Sequence, residues 1–379
     1  MGETAGWERP NWYAPEGVKP VYEYSYGRQN WFEHAGSENA GRWPGMWPIF
    51  ELRPASRSSF VKGRDALAVL NRLSSAELDV EPGRIVYTLW LNELAGSRPI
   101  SRSRLAGDEF LVVATAAGRP ATRPASRKLS AMRTVSLSIS PRACRCWGSW
   151  GHVHARCFRP SSALTCRTSL PFGHSRMLEI GYAPVRVSRV TYVGELGYEL
   201  YVEADHALHV FERIVEAGGD FGLRHAGYHA MNACRVEKGY RHWGHDMAVE
   251  DNPFEAGLGF TVAFGKKGGF IGREALLPLR DQGPPKRRLV HFRLDDDDKL
   301  LYHEEPIWLG DRIVGSITSG MYGHRVGASL GMGYASHEEG VTKDFLANAD
   351  FEIEIAWKRF PAKAQLQPFY DPLSERVRS

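Results

Sequence analysis

TYVGELGYELYV, Thr191 to Val202, decides how the rest of the chain is read. Its glycines mark a turn, and the residues after them alternate as a β-strand does. The alternation extends upstream through RMLEIGYAPVRVSRV, so that the whole stretch reads as two or three strands. Downstream, DHALHVFERIVEAGG has the spacing of a helix capped at Asp205 and stopped at Gly218, and GYHAMNACRVEKG supplies a second helix. Earlier in the chain, Asp65 caps a helix with Leu67, Leu70 and Leu73 at helical spacing, and EPGRIVYTLWLNE turns into a strand. EFLVVATAA is a further strand. After the break at DQGPPKRR, short strands and Gly turns dominate, so Arg287 to the end reads as a small β-barrel or sandwich. The stretch before about Glu33 is rich in Tyr, Trp, Pro and Gly, as an extended arm lying on a domain would be.

A chain of 379 residues with 43% hydrophobic content can bury more than one core. We expect an α+β protein in three parts: an N-terminal arm over 1–35, a main α+β domain over 36–285, and a C-terminal β-barrel domain over 286–379. No run of 18 apolar residues and no secretory leader pattern is present, which predicts a soluble, cytoplasmic protein without a membrane partner. The net charge of +4 comes from one window. Gly118 to Leu170 holds ten basic residues and no acid, and taking it away leaves the remainder acidic, 38 basic against 44 acidic residues. The same window holds Cys144, Cys146, Cys157 and Cys166, with only Cys234 elsewhere. Zinc knuckles need spacings such as CxxC, and CRC is too tight, so no metal site is expected. Basic charge without a periodic element offers no groove for nucleic acid, and none is expected as a partner. Asp295 to Asp298 are consecutive acids that do not converge, and they read as a solvated loop.

TYVGELGYELYV together with CRVEKGYRHWGHD, PFEAGLGF and GGFIGREAL resembles the folate-binding aminomethyltransferase family, which includes the T protein of the glycine cleavage system and the C-terminal halves of dimethylglycine and sarcosine dehydrogenases. The opening WYAPEGVKPVYEYSYGRQNWFEHAGSEN is similar to the second group in particular. The resemblance covers about residues 7–93 and 171–379. It implies a multi-lobed fold around a central folate cleft, with two partly interleaved α+β lobes and the barrel. It implies tetrahydrofolate as cofactor and transfer of an aminomethyl or iminium carbon to give methylenetetrahydrofolate, in glycine cleavage or in dimethylglycine and sarcosine catabolism. The partner would be a lipoyl carrier protein or a flavin-dependent dehydrogenase subunit, since the chain has no GxGxxG segment of its own.

The resemblance also assigns residues. Glu199 matches the pterin-binding carboxylate, and one carboxylate can accept both a ring N–H and an exocyclic amine. Tyr87 and Tyr192 match aromatics near the ring, Arg235 an arginine toward the folate tail, and Trp243 a position where relatives often carry Tyr. Read without the family, alternating Tyr and Glu also suit a solvated sheet face, Glu195 is structural, and Arg235 with Glu237 makes a helix-surface pair of little energetic weight.

In the family, the strand after LNE continues through a Gly-Gly turn into an apolar segment holding an Asp, which the resemblance assigns to positioning the folate nitrogen and the one-carbon donor. Here LNE is followed by LAGSRPISRSR; the Asp is absent, Pro99 and Ile100 stand near its place, and no catalytic residue is assigned. The alternative reading is a catalytically dead folate-binding or regulatory module. Synonymous codons for Cys146 to Thr165, read in one shifted frame, permit LGVMGPRSRALLQALIGAD; the same frame permits IEADLTVS over Gly96 to Arg104 and GFAKFL over Pro54 to Phe60. All three are family-like. We therefore expect out-of-frame translation in about 41–60, 94–104 and 118–170, with the region of about 94–170 degraded and poorly packed, because an Arg-, Ser- and Pro-rich run supplies too little apolar area to offset ordering entropy. Sequencing the gene checks this: codons that permit all three alternate readings are expected, and codons incompatible with them exclude it.

Overall fold

The structure is a computed structural model that describes the chain except residues 5–6, 26, 40–46, 52–55, 116–135, 140–144, 151–169, 297 and 379. The N-terminal arm begins with a short hairpin, β1 (Gly2–Thr4) against β2 (Trp7–Arg9), and ends in helix α1 (Phe32–Ser37). Next come β3 (Trp47–Glu51), β4 (Ser56–Lys62), α2 (Ala66–Leu73), β5 (Ile85–Leu91), β6 (Ser97–Ala106), β7 (Glu109–Thr115), β8 (Ser136–Ile139) and β9 (Arg145–Trp150). β10 (Ser175–Ile180), β11 (Ala183–Ser188) and β12 (Gly197–Val202) precede α3 (Ala207–Gly218), β13 (Leu223–Ala226) and α4 (Tyr228–Glu237).

Among the described residues the strands form one sheet in the order β5-β6-β7-β4-β8 and a second in the order β10-β11-β12-β9-β3-β13. The two lobes are interleaved, because the chain gives β3 to the second sheet, β4 to β8 to the first, and then returns with β9. The alternation read in β12 is real. Tyr198, Leu200 and Val202 are fully buried with Val185 and Val187 of β11 and Val210 of α3, while Glu199 and Tyr201 occupy the opposite face. A one-residue slip would reverse those faces, so burial fixes the register.

Helix α5 (Arg273–Asp281) leads into the C-terminal unit, a closed barrel in the order β14-β17-β16-β15-β18-β19. Its strands are β14 (Arg287–Leu294), β15 (Pro306–Leu309), β16 (Arg312–Gly323), β17 (Ala328–Ser336), β18 (Phe351–Ile355) and β19 (Lys358–Gln365). Val290, Phe292, Ile307, Ile317, Phe351 and Ile353 fill it.

Local expectations need three corrections. Asp205 does not cap α3; it lies inside a 3₁₀ turn, Ala204–His206, and His206 takes the cap position. Asp65 is at the cap position of α2 but makes no capping bond with its side chain. The stretch 94–104, expected to be degraded, is backbone-paired as β6 between β5 and β7. Strand pairing is carried by main-chain groups, so it forms with any non-proline side chain at most positions. The expectations for 118–170 fall largely outside the described residues, as do Cys144, Cys157 and Cys166, and so does Asp297 of the acidic loop, whose neighbours Asp295 and Asp298 are exposed. Among the described residues no helix is long and apolar enough to cross a membrane, and no group of three His, Cys, Asp or Glu residues is placed to hold a metal ion.

Phe292 is fully buried and touches Phe351 edge-on, with ring centroids 5.7 Å apart. Replacing Phe292 with Ala is expected to reduce the free energy of unfolding by about 3–5 kcal/mol, as measured by urea titration.

Candidate functional site

Helix α4 sits where the arm, the second sheet and the barrel meet. The arm satisfies its N-terminus, which otherwise leaves N–H groups without partners. Tyr228 N donates to Pro10 O (3.0 Å), His229 N to Asn11 O (2.9 Å), and Gly227 N to the Glu38 carboxylate (2.7 Å). Gly227 is required by this close approach, since a Cβ there would lie 2.3 Å from Asn11 O. Burial raises the Glu38 carboxyl to about 7.

At its other end α4 carries three charged residues, each buried and each tied to a different element. Arg235 Nη1 pairs with Asp246 at 2.6 Å, Nη2 donates to Ser319 of β16 at 2.8 Å, and Nε donates to Asn232 at 2.7 Å. Glu237 pairs with Arg325 of the β16–β17 loop at 2.5 Å, and Arg325 also pairs with Glu195 at 2.9 Å. Lys238 pairs with Asp371 of the C-terminal tail at 2.9 Å. The Arg235–Glu237 surface pair expected from sequence is therefore incorrect. Residues two apart on a helix do not face each other, and both are buried in separate ion pairs. Glu195 is structural, buried between Arg325, Tyr370 and Arg376.

Arg235 is 4% exposed, and its guanidinium is held by Asp246, Ser319 and Asn232. Trp243, at 7% exposure, packs in a core cluster with Leu89, Leu91, Met247 and Phe270.

Tyr87 and Tyr192 are placed differently. Tyr87 on β5 is 42% exposed, yet desolvation by the surrounding protein pushes its phenol up to about 12, with Arg241 pulling the other way. Burial also raises the Tyr192 phenol, against the pull of Arg235; Asp246, Tyr228 and Tyr87 are within electrostatic reach of it. Its hydroxyl donates to Arg241 O at 3.2 Å, and its ring stacks against Tyr240 at 6.0 Å. The two tyrosines lie within electrostatic reach of each other beside the turn that runs from α4 to Asp246, and the space they border is the candidate recess.

Glu199 lies on the polar face of β12, in register with Ser188 of β11. Ser188 bonds to Ser175 (3.1 Å), and Ser175 N donates to Gly83 O (2.7 Å) at the foot of β5, so a continuous seam joins Glu199's row to the strand carrying Tyr87. Burial raises the Glu199 carboxyl above the usual carboxylate range, opposed by a 2.7 Å bond from Tyr201. β6 runs beside Tyr87 with Ser101 paired to it, and its sequence, SRPISRSRLA, has no carboxylate. The turn into β6 is held by Asn92 Oδ1, which accepts from Leu94 N and Gly96 N; Ala95 takes φ 66°, and a Cβ at Gly96 would collide with Val249 O. Sequence reading passed over Arg241 and Asp246, although both sit in the quoted block CRVEKGYRHWGHD. Arg241 is next to a GY pair and Asp246 follows a Gly-His turn, and neither position has a periodicity that would reveal burial.

Residues 1–266 match the GCVT N-terminal domain, and residues 287–371 match the glycine cleavage T-protein C-terminal barrel domain. The chain belongs to the folate-binding aminomethyltransferase family. It is 38% identical over 380 residues to 4-methylaminobutanoate oxidase (formaldehyde-forming) of Paenarthrobacter nicotinovorans, covering 100% of this chain and 45% of that protein. It is 30% identical over 376 residues to mitochondrial dimethylglycine dehydrogenase of Mus musculus, covering 97% of this chain and 42% of that one. The chain thus spans about half the length of these curated relatives. The glycine cleavage system aminomethyltransferase T of Bartonella henselae shares the fold, with TM-score 0.77, 20% identity, and 93% and 94% of the two chains covered.

Removing Arg325 leaves Glu237 and Glu195 buried without their cation. Arg325→Met is expected to cost about 3–5 kcal/mol in urea unfolding, and adding Glu237→Gln is expected to recover part of that loss.

Proposed function

We propose that the recess bounded by Tyr87, Tyr192 and Glu199 binds tetrahydrofolate, and that the chain serves one-carbon transfer to give methylenetetrahydrofolate in the cytoplasm. The observation that carries this reading is the pairing of an exposed but desolvated Tyr87 with a second buried-edge tyrosine in a chain of this family. Flat aromatic walls suit a pterin ring. A desolvated carboxylate suits two N–H donors side by side, because such a fork satisfies a group that burial has made costly. Tetrahydrofolate supplies the nitrogens that accept the carbon. The protein's own residues orient the ring, exclude water around Glu199, and keep His242 and His291 neutral down to about pH 3 by burial.

The donor belongs to the class that the relatives' names contain, N-methylated amino acids, delivered as an aminomethyl or iminium unit by a flavin-dependent dehydrogenase partner; a lipoyl carrier protein is the other source the family implies. A second reading is favoured by one observation, the absence of any carboxylate in β6 beside Tyr87. It is a module that binds folate without turnover.

Tetrahydrofolate titration followed by Trp fluorescence, then an assay of methylenetetrahydrofolate formation above the rate without protein, separates the two. Saturable binding with turnover supports transfer, binding alone supports the second reading, and no binding removes both. The bound form needs Glu199 ionised, so affinity is expected to fall as pH drops through its raised pKa. Glu199→Gln is expected to weaken binding about tenfold or more and to flatten that pH dependence, a loss on the scale of a charge-assisted bond.

A further inference from the structure

Beside Tyr87 lies an arginine, Arg241, that has no ion-pair partner among the described residues. Arg241 Nε donates to Ala256 O at 3.0 Å and Nη1 to Gly239 O at 2.7 Å. Both acceptors are neutral carbonyls, so they fix the guanidinium plane and leave its charge intact. Gly257 gives the remaining nitrogen room: it has φ +67°, and a Cβ there would lie 2.6 Å from Nη2. Gly239, also at φ +67°, similarly makes room for His291, whose Cε1 would lie 2.3 Å from a Cβ. The glycines of the EKG and EAGLGF blocks are therefore accounted for by the groups packed over them.

Burial lowers the Arg241 pKa; Tyr87 and Asp246 within its reach work against that shift, and Arg288 adds to it. Asp246 is held by Arg235 at 2.6 Å. Arg288 is itself desolvated, its Nε is buried without a hydrogen-bond partner among the described residues, and its Nη1 reaches only a carbonyl, Val341 O, at 3.5 Å. Among the described residues no carboxylate lies within ion-pair distance of either arginine. His291 beside them is neutral and adds no counter-charge. Two desolvated cations that repel each other, with no acid in ion-pair contact among the described residues, are costly, and an incoming anion lowers that cost.

We propose that Arg241, with Arg288 behind it, is the carboxylate receptor of the recess, holding through its guanidinium fork the carboxylate that a ligand brings in. The proposal rests on the folate-recess reading and deepens it. Two sources share this chemistry, the N-methylated amino acid donor and the glutamate tail of folate. The fork matters, because a guanidinium pairs both oxygens and an ammonium does not.

Binding to the unaltered chain, measured by Trp fluorescence, is compared for N,N-dimethylglycine against trimethylamine and for tetrahydrofolate against 6-methyltetrahydropterin, which lacks the tail. At least one pair is expected to differ tenfold or more in favour of the carboxylate. Arg241→Gln is expected to collapse that gap to within about twofold, and Arg241→Lys to keep only part of it. Collapse in the amine pair assigns the receptor to the donor, and collapse in the folate pair assigns it to the tail. Gaps of full size in folded Arg241→Gln, or no gap in the unaltered chain, overturn the proposal. Should Arg241→Gln not fold, competition by acetate on the unaltered chain decides: displacement of the favoured carboxylate ligand supports it, and no displacement overturns it. Binding of 6-methyltetrahydropterin by the unaltered chain tests the folate reading alone; if it fails while dimethylglycine still outbinds trimethylamine, that reading falls and the receptor stands.

Discussion

Helix α4 depends on charge pairs that have no access to water, and the rest of the molecule is assembled around them. Arg235 reaches the barrel through Ser319 and the next loop through Asp246, Glu237 reaches the barrel through Arg325, and Lys238 reaches the C-terminal tail through Asp371. Buried pairs of this kind add little net stability over apolar packing, but a single missing partner is costly. These pairs tie the barrel and the C-terminal tail to α4. That docking brings His291 of β14 against Gly239 and sets the floor on which Tyr192 and Arg241 stand.

Much of this was legible in the sequence where burial leaves a period. β12 was visible because Tyr198, Leu200 and Val202 alternate with Glu199 and Tyr201, and the barrel because Gly turns separate short apolar runs such as RLVHFRL. Tyr87 lies on β5 and Glu199 on β12, both in stretches whose sequence reads as strand. What failed has a common cause. Arg235 and Glu237 are polar residues on a short helix, and polarity in a sequence predicts exposure; only the three-dimensional placement of Asp246 and Arg325 makes them interior. The burial of Trp243 was not legible, because its core neighbours Leu89 and Phe270 are distant in sequence. Helix caps were misjudged by one or two residues, since a 3₁₀ turn precedes α3 and moves its start past Asp205.

The proposed recess would combine features with different implications: aromatic side chains and a desolvated Glu199 suit a reduced pterin, and Arg241 suits a carboxylate. The strand next to Tyr87 follows a turn with Ala95 at positive φ and has no acid in its sequence. Under the proposed reading, binding and chemistry are separable, because the proposed ligand-holding groups lie on β5, β12 and the turn after α4, not on β6.

A crystal structure of the chain with tetrahydrofolate bears most directly on the account. It is expected to show the pterin ring against Tyr87 and Tyr192 with its N–H edge on the Glu199 carboxylate. A ring bound elsewhere, or bound in the recess with Glu199 turned away from it, contradicts the account.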